Sequence, residues 1–375
     1  MLSVVYYRII FRERLIFFCL KSSNMKIVAV LYPAGQVGQQ TPELLGCAEN
    51  ALGLRKFLEA QGHEYTVLTD RQAELDKHLP TGDILVTTPF WPVYVTREKI
   101  ASAPKLRMIL TAGIGSDHID LAAAAQRGIT VAEITGSNVV SVAEHTVMQI
   151  LILLRNFIPA YKQVLDGKWN IGDIAARAHD LEGKVVGIVG TGRIGQRVAS
   201  RLQPFDVTKL YYDYRRLTTV EEQMLGIRYT PLDDLIPQCD VITIHTPLTP
   251  ETDGLFNRER LFRMKKGSYL VNTARGKIVD RDALVEAVQK GHLAGYAGDV
   301  WYPQPAPPDH PWRQMPNHAM VPHYSGTTLE AQRRYADGVK DCIARFLAGR
   351  QLERDYLIVD GGKVVNPSYS YAFKQ

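Results

Sequence analysis

The chain has 375 residues, 46% hydrophobic and 22% charged, an ordinary globular composition that is too long for one core and suits two domains. Its formal net charge of +5 is spread along the chain, with no basic block and no basic stripe interleaved with aromatics. That balance argues against a nucleic-acid partner and leaves a mild attraction for small anions.

The opening stretch "MLSVVYYRIIFRERLIFFCLKSSN" is apolar and basic, and Arg8, Arg12, Glu13 and Arg14 interrupt it. It is too broken for a membrane span or for the apolar core of a secretory signal. Two readings stand. Residues 1–24 are either an Arg-rich organelle leader or an extension outside any domain, because Met25 immediately precedes a good strand. The extension is preferred, and with it a cytoplasmic location. Cys19, Cys47, Cys239 and Cys342 lie far apart without ligand spacing, which points to a reducing compartment and no metal site.

From Met25 onward, apolar runs alternate with helical patterns. "KIVAVLYP", "EYTVLTD", "DILVTTPF", "LRMILTAG" and "ITVAEITG" are expected to be buried strands, and "ENALGLRKFLEAQGH" and "DHIDLAAAAQRG" helices. Residues 141–156 form a long buried helix in this reading, with Ser141 as N-cap and Glu144 at capping-box spacing. Such a helix suits a bridge between domains, and its apolar surface suggests a homodimer. Strands "KVVGIVG", "KLYYDY", "DVITIHTP", "SYLVNTA" and "LAGYAGDV" follow, then a helix from about Thr328 to Leu347. The tail after it is expected to hold no further strand–helix unit and to pack back on the first domain. The fold class is therefore α/β, with two doubly wound parallel-sheet domains and a cleft between them. Expected boundaries are 25–138 with 325–375 for a discontinuous substrate domain and 139–324 for a dinucleotide domain.

"KVVGIVGTGRIGQRVASRL" is a strand, a GxGxxG turn and a helix, with Gly190, Gly192 and Gly195 as the glycines. These permit the tight turn, the approach of a pyrophosphate and close helix–strand packing, and the helix N-terminus favours phosphate. The second strand ends at Asp213, placed to accept from ribose hydroxyls and to favour NAD, although Arg215 and Arg216 leave NADP open. A glycine-rich turn in a non-binding domain is the structural alternative.

"NTARG" at 272–276, "GDV" at 298–300 and "VPHYSGTT" at 321–328 fall at further strand ends. With the glycine motif they resemble the D-2-hydroxyacid dehydrogenase superfamily from Met25 to the C-terminus. That resemblance implies a Rossmann NAD domain, a flavodoxin-like substrate domain, and an arginine and a histidine at the reacting carbon. "TPFWPVYVT", "TAGIGSDHIDL", "ITGSNVVSVAEH", "DVWYPQPAPPDHPW" and "PHYSGTT" narrow it to the metal-free, NAD-dependent formate dehydrogenases. The chain departs from the family pattern in a shorter segment after the first strand, and in Thr249 where some relatives carry histidine.

The resemblance implies an enzyme that oxidises formate to carbon dioxide by hydride transfer to NAD. Arg275 would clamp the carboxylate; its alternative is a surface ion pair. Asn138 and the Ile114 N–H would donate to the two carboxylate oxygens, Asn138 otherwise being a helix cap or turn residue. His323 would hydrogen-bond the substrate, held by Gln304, or else be a satisfied core histidine. Pro89 and Phe90 would wall the pocket to one-carbon size, or simply be a turn and a core aromatic. Arg193, Ile194, Pro247, Leu248, Thr249, Pro250, Glu251, Thr273, Asp299, Ser325 and Gly326 complete the implied cofactor contacts. Gln304 fits formate because no O–H proton is removed; hydroxyacid enzymes pair this histidine with a glutamate that raises its basicity. Two other functions stay open: a dehydrogenase for glyoxylate- or hydroxypyruvate-type D-2-hydroxyacids, and an NAD-sensing binding module.

Overall fold

The computed structural model describes residues 24–370, so the expectations for residues 1–23 lie outside the described part. It contains two seven-stranded sheets. In the first, β1 (Lys26–Val30), β2 (Glu64–Leu68), β3 (Ile84–Thr87), β4 (Met108–Thr111) and β5 (Thr130–Glu133) run parallel in the order β2-β1-β3-β4-β5. This is the flavodoxin-like order. The second holds β6 (Val185–Val189), β7 (Thr208–Tyr212), β8 (Ile227–Tyr229), β9 (Val241–Ile244), β10 (Ser268–Asn272), β11 (Leu293–Gly298) and β12 (His318–Met320). These seven are parallel, ordered β8-β7-β6-β9-β10-β11-β12, so the winding reverses between β6 and β9.

The strands form here because both of their faces are covered. Ile84, Leu85 and Val86 of β3 are fully buried, as are Leu270 and Val271 of β10, and apolar clusters fill both sides of each sheet. Such strands lack a polar face, which is why they stand out in the sequence as continuous apolar runs.

The tail differs from expectation. β13 (Leu357–Asp360) and β14 (Lys363–Val364) extend the first sheet, β13 pairing antiparallel with β5 through Val359 and Val131, and a short helix, Pro367–Ser370, follows. The short strands β8 and β12 also lacked a usable periodicity.

Two helix assignments need correction. The bridging helix spans Val139–Leu154 with Asn138 at the N-cap position, not Ser141. Ser141 Oγ is committed to Thr328 Oγ1 at 2.9 Å, and Glu144 turns outward to Arg201 at 3.1 Å, so neither builds a capping box. The segment from Glu49 onward is not one helix: a 3-10 turn, Ala51–Gly53, precedes Arg55–Glu59, with Leu52 at φ 56°. Asn50 Nδ2 faces the carbonyls of Gly38, Thr41 and Leu44 within 3.0 Å, tying the loop down where the helix would have begun. Among the described residues, no helix is long and apolar enough to cross a membrane.

Candidate active site

Open α/β sheets present their ligand-binding loops beyond the carboxyl ends of the strands. Here loops from both sheets line one cavity of about 1080 Å³. Phe90 follows β3, Ile114 follows β4, Asn138 follows β5, Arg275 follows β10 and His323 follows β12, and all five line it.

Arg275 is anchored on three sides. Its Nε donates to Asp117 Oδ1 at 2.6 Å, Nη1 to Ala274 O at 2.7 Å and Nη2 to Ile114 O at 3.2 Å. A guanidinium has five N–H groups, so one remains on each terminal nitrogen, the pair that suits a carboxylate. Burial pushes the Asp117 carboxyl up, but Arg275 and the neighbouring His118 outweigh it and hold the group below its ordinary range. The surface ion-pair alternative for Arg275 does not hold, since both side chains are only 19% exposed.

Gly115 makes this arrangement possible. Its φ is +113°, and a Cβ there would lie 1.4 Å from Arg275 Nη2. The loop it belongs to is fastened from below. Glu133 Oε2 accepts from Gly115 N and Ser116 Oγ, each at 2.9 Å, and from the Tyr369 hydroxyl at 3.1 Å. Asp117, Gly115, Glu133 and Tyr369 were all missed from sequence; only Glu133, a carboxylate ending an otherwise apolar strand, gave a signal.

His323 meets Gln304 through Nδ1, which lies 2.8 Å from Gln304 Nε2 and 3.0 Å from Oε1. Gln304 Nε2 also donates to Pro89 O at 3.0 Å and Phe90 O at 3.3 Å, which fixes which end of the amide is which. Burial, with Arg275 nearby, pushes the His323 pKa down to about 3, so the ring is neutral at ordinary pH. Phe90 packs edge-on to it, ring centres 5.5 Å apart. Pro89 contributes its carbonyl and does not line the cavity.

Asn138 sits at the N-cap position of the bridging helix without making a side-chain cap, and its Oδ1 is buried with no partner among the described residues. Asn138 therefore occupies the cap position of its alternative reading without making the cap bond. The Ile114 N–H likewise has no partner among the described residues.

The cofactor half of the cavity is formed by Gly192, Arg193, Ile194, Pro247, Leu248, Thr273, Ser325 and Gly326. Gly192 opens the Arg193–Arg201 helix with no side-chain cap, leaving its first N–H groups for an anion. A Cβ on Gly195 would fall 2.0 Å from Gly190 O, so helix and turn touch only because that side chain is absent. Asp213, at the end of β7, accepts from Thr191 N at 2.6 Å and from Thr191 Oγ1 at 3.1 Å, binding the second strand to the glycine turn. Arg216 is drawn off to Glu222 at 3.2 Å and lies over the Tyr229 ring, whereas Arg215 lines the cavity. Thr249, Pro250 and Glu251 do not line it: Thr249 N donates to Thr252 Oγ1 at 2.8 Å in a turn that carries Pro250 and Glu251 to the surface.

Asp299 is fully buried. Its Oδ2 accepts from Ser325 N at 2.8 Å, and Oδ1 has no partner among the described residues. Burial raises its pKa to about 6 against these opposing contacts. An orphaned buried acceptor beside Thr273 and Ser325 and an uncapped helix start fit a nicotinamide dinucleotide, whereas Asp213, whose two oxygens accept from Thr191 and from the Arg215 N–H, and Asp299 do not line the cavity. His245 and Thr246, which sequence reading passed over, also line this half.

Residues 147–325 match the family described as "D-isomer specific 2-hydroxyacid dehydrogenase, NAD binding domain". The chain is 53% identical over 350 residues to the chloroplastic/mitochondrial formate dehydrogenase of Arabidopsis thaliana, covering 92% of this chain and 91% of the relative. With the formate dehydrogenase of Neurospora crassa it shares 53% over 358 residues, covering 92% and 96%. The crystal structure of NAD-dependent formate dehydrogenase from Staphylococcus aureus in complex with NAD superposes with a TM-score of 0.84 at 54% identity, covering 89% of this chain and 99% of that one. The chain belongs to the NAD-dependent formate dehydrogenases of the D-2-hydroxyacid dehydrogenase superfamily.

Proposed function

We propose that this enzyme oxidises formate to carbon dioxide, and that the residues assembled around the cavity divide the work as follows. Formate is one carboxylate bearing one C–H bond, so its oxidation releases a hydride and no O–H proton. NAD, when bound, supplies the acceptor carbon for that hydride. Arg275 binds the carboxylate through its two uncommitted N–H groups, with the Ile114 N–H and Asn138 Nδ2 as further donors. His323, neutral, donates to the substrate and is oriented by Gln304. Phe90 excludes water and leaves room for one carbon. Asp299 Oδ1 is the acceptor for the nicotinamide carboxamide, and Gly192 to Ile194 hold the pyrophosphate. Gly190, Gly195 and Asp213 shape that turn. Carbon dioxide is neutral and linear, so it loses the arginine clamp and departs.

One observation carries this reading: the group on His323 Nδ1 is an amide, not a carboxylate. A hydroxyacid enzyme must take an O–H proton onto the histidine, and a neutral partner with a ring pKa of about 3 opposes that. The hydroxyacid alternative is not favoured because Gln304 stands where its glutamate would be, and the NAD-sensing alternative is not favoured because Arg275 and His323 are both in place. The test is NADH production from formate, glycerate and lactate under identical conditions. Absence of turnover with formate would end the reading.

The proposed division puts residues 25–138 with 325–375 in a discontinuous substrate domain and 139–324 in the NAD-binding domain, with one sheet in each supporting it and with Arg275 and His323 reaching the substrate from the second. A homodimer is part of the proposal, but its surface moves. The bridging helix is largely buried, whereas Tyr161, Val164, Leu165, Trp169 and Ile171 just beyond it are 54 to 84% exposed. Leu165→Glu with Trp169→Glu should convert a dimer to a monomer in sedimentation velocity. The location proposed is cytoplasmic, and an import assay on residues 1–24 separates that from an organelle leader.

A further inference from the structure

We infer that Arg71 is a positioning residue for the reaction, fixing the Gln304–His323 pair from across the cleft; this rests on the reading above. Arg71 lies in the turn after β2, in the first-sheet half of the molecule. Its guanidinium covers the Trp91 indole at 4.6 Å from the ring centre. The indole is fixed in turn, Nε1 donating to Thr69 O at 3.0 Å and the backbone N to Thr88 Oγ1 at 3.1 Å. From that base Arg71 Nη1 donates to Gln304 O at 3.2 Å and reaches Pro92 O at 3.5 Å. Among the described residues no carboxylate pairs with it, so its charge is committed to carbonyl dipoles and an aromatic face.

Gln304 is therefore held through both its backbone and its side chain by the first-sheet half, where Tyr94 also bonds its backbone. Its backbone carbonyl accepts from Arg71, and its side-chain nitrogen donates to Pro89 O and Phe90 O. Its amide faces His323, which follows a strand of the second sheet. The imidazole is thus oriented by a residue whose own position depends on contact between the halves. Arginine suits the role because a planar guanidinium can stack on indole while its edge donates, which a lysine ammonium cannot do. Arg71 touches neither Arg275 nor the glycine turn, so it should act on the histidine alone.

A double-mutant cycle tests this. Arg71→Met should lower kcat with formate by roughly tenfold and change the formate KM by less than about threefold. In a Gln304→Ala background the same change should cost less than about twofold, because the side chain it positions is gone. Arg71→Lys should recover little of the loss, and thermal midpoints should stay within about 3 °C of one another. Losses that multiply in the double variant, or a wild-type kcat in Arg71→Met, would overturn the inference. A second readout is independent of substrate. In 15N-histidine-labelled enzyme, the His323 Nδ1 resonance should move in Arg71→Met toward that of an unconstrained neutral imidazole, and an unmoved resonance would overturn the inference. If the wild-type enzyme fails to turn over formate while this resonance moves, the formate reading falls and the positioning role stands.

Discussion

Gln304 meets His323 Nδ1 with both heavy atoms of its amide, Nε2 at 2.8 Å and Oε1 at 3.0 Å. The amide can donate to a bare Nδ1 or accept from a protonated one, so it serves either neutral tautomer without adding charge. A carboxylate at the same place could only accept, and would favour the imidazolium. Gln304→Glu should therefore raise the His323 pKa from about 3 toward neutrality. Formate turnover should fall by roughly ten- to a hundredfold and acquire a pH dependence between about 5 and 8. A pH–rate profile with the wild-type shape would remove the proposed role.

Arg275 has three of its N–H groups engaged before any substrate arrives. Lysine at this position keeps the charge but cannot satisfy Asp117, Ala274 O and Ile114 O while also donating twice to a carboxylate. Arg275→Lys should cut kcat/KM for formate by roughly 10²- to 10³-fold. Affinity for NAD, read by fluorescence quenching with NADH, should change by less than about threefold if the roles are divided as proposed. Arg275→Met leaves Asp117 largely buried without its partner and should lower unfolding stability by about 3 kcal/mol in denaturant titration.

Substituting Gly115 tests the same clamp without touching a charged group. A Cβ would sit 1.4 Å from Arg275 Nη2, on backbone at φ +113° that alanine adopts only with strain. Gly115→Ala should raise the formate KM by roughly tenfold or more and cost about 1–3 kcal/mol of stability. An alanine variant with wild-type formate KM would show that the guanidinium can move aside without loss.

Asp299 is buried with a pKa raised to about 6, above the ordinary carboxyl value of roughly 3.9 expected in the unfolded chain. The native state therefore holds this proton more tightly than the unfolded one. Its stabilising contribution is complete below the unfolded value and is lost as pH rises through about 6. Asp299→Asn should accordingly raise the thermal midpoint relative to wild type at pH 8 (about two units above that pKa), with the advantage vanishing near pH 4. As the carboxamide acceptor, the wild-type carboxylate should also give a KM for NAD that climbs as pH falls below about 6, a climb absent from the variant. A pH-independent midpoint difference would show that the group does not titrate there.

Much of this site was open to sequence reading because parallel sheets put chemistry at the ends of apolar runs. Arg275, Asp213 and Asp299 each follow such a run, and the structure places them at strand ends; His323 follows the three-residue β12 and was legible through its motif instead. Gln304 was legible only as the odd residue in a proline-rich loop. What escaped were partners reached through space. Nothing local in "GSDHIDL" says that Asp117 meets an arginine far along the chain, or that Gly115 is small because that arginine passes over it. Tyr369 and β13 escaped for a related reason: a short strand completed by distant pairing has no periodicity of its own. Ser141 misled because a serine before an apolar helix is a good cap only if its hydroxyl is free, and Thr328 had taken it.

The antiparallel pairing of β13 with β5 also bears on how the molecule is made. The second sheet is encoded in one uninterrupted stretch and can close as soon as β12 leaves the ribosome. Strands β1 to β5 are synthesised earlier, yet the open edge of β5 waits for the last part of the chain. Until then it offers unpaired backbone groups to any neighbouring strand, the usual template for misassembly in a nascent or truncated protein. The half of the enzyme translated first is thus the half completed last.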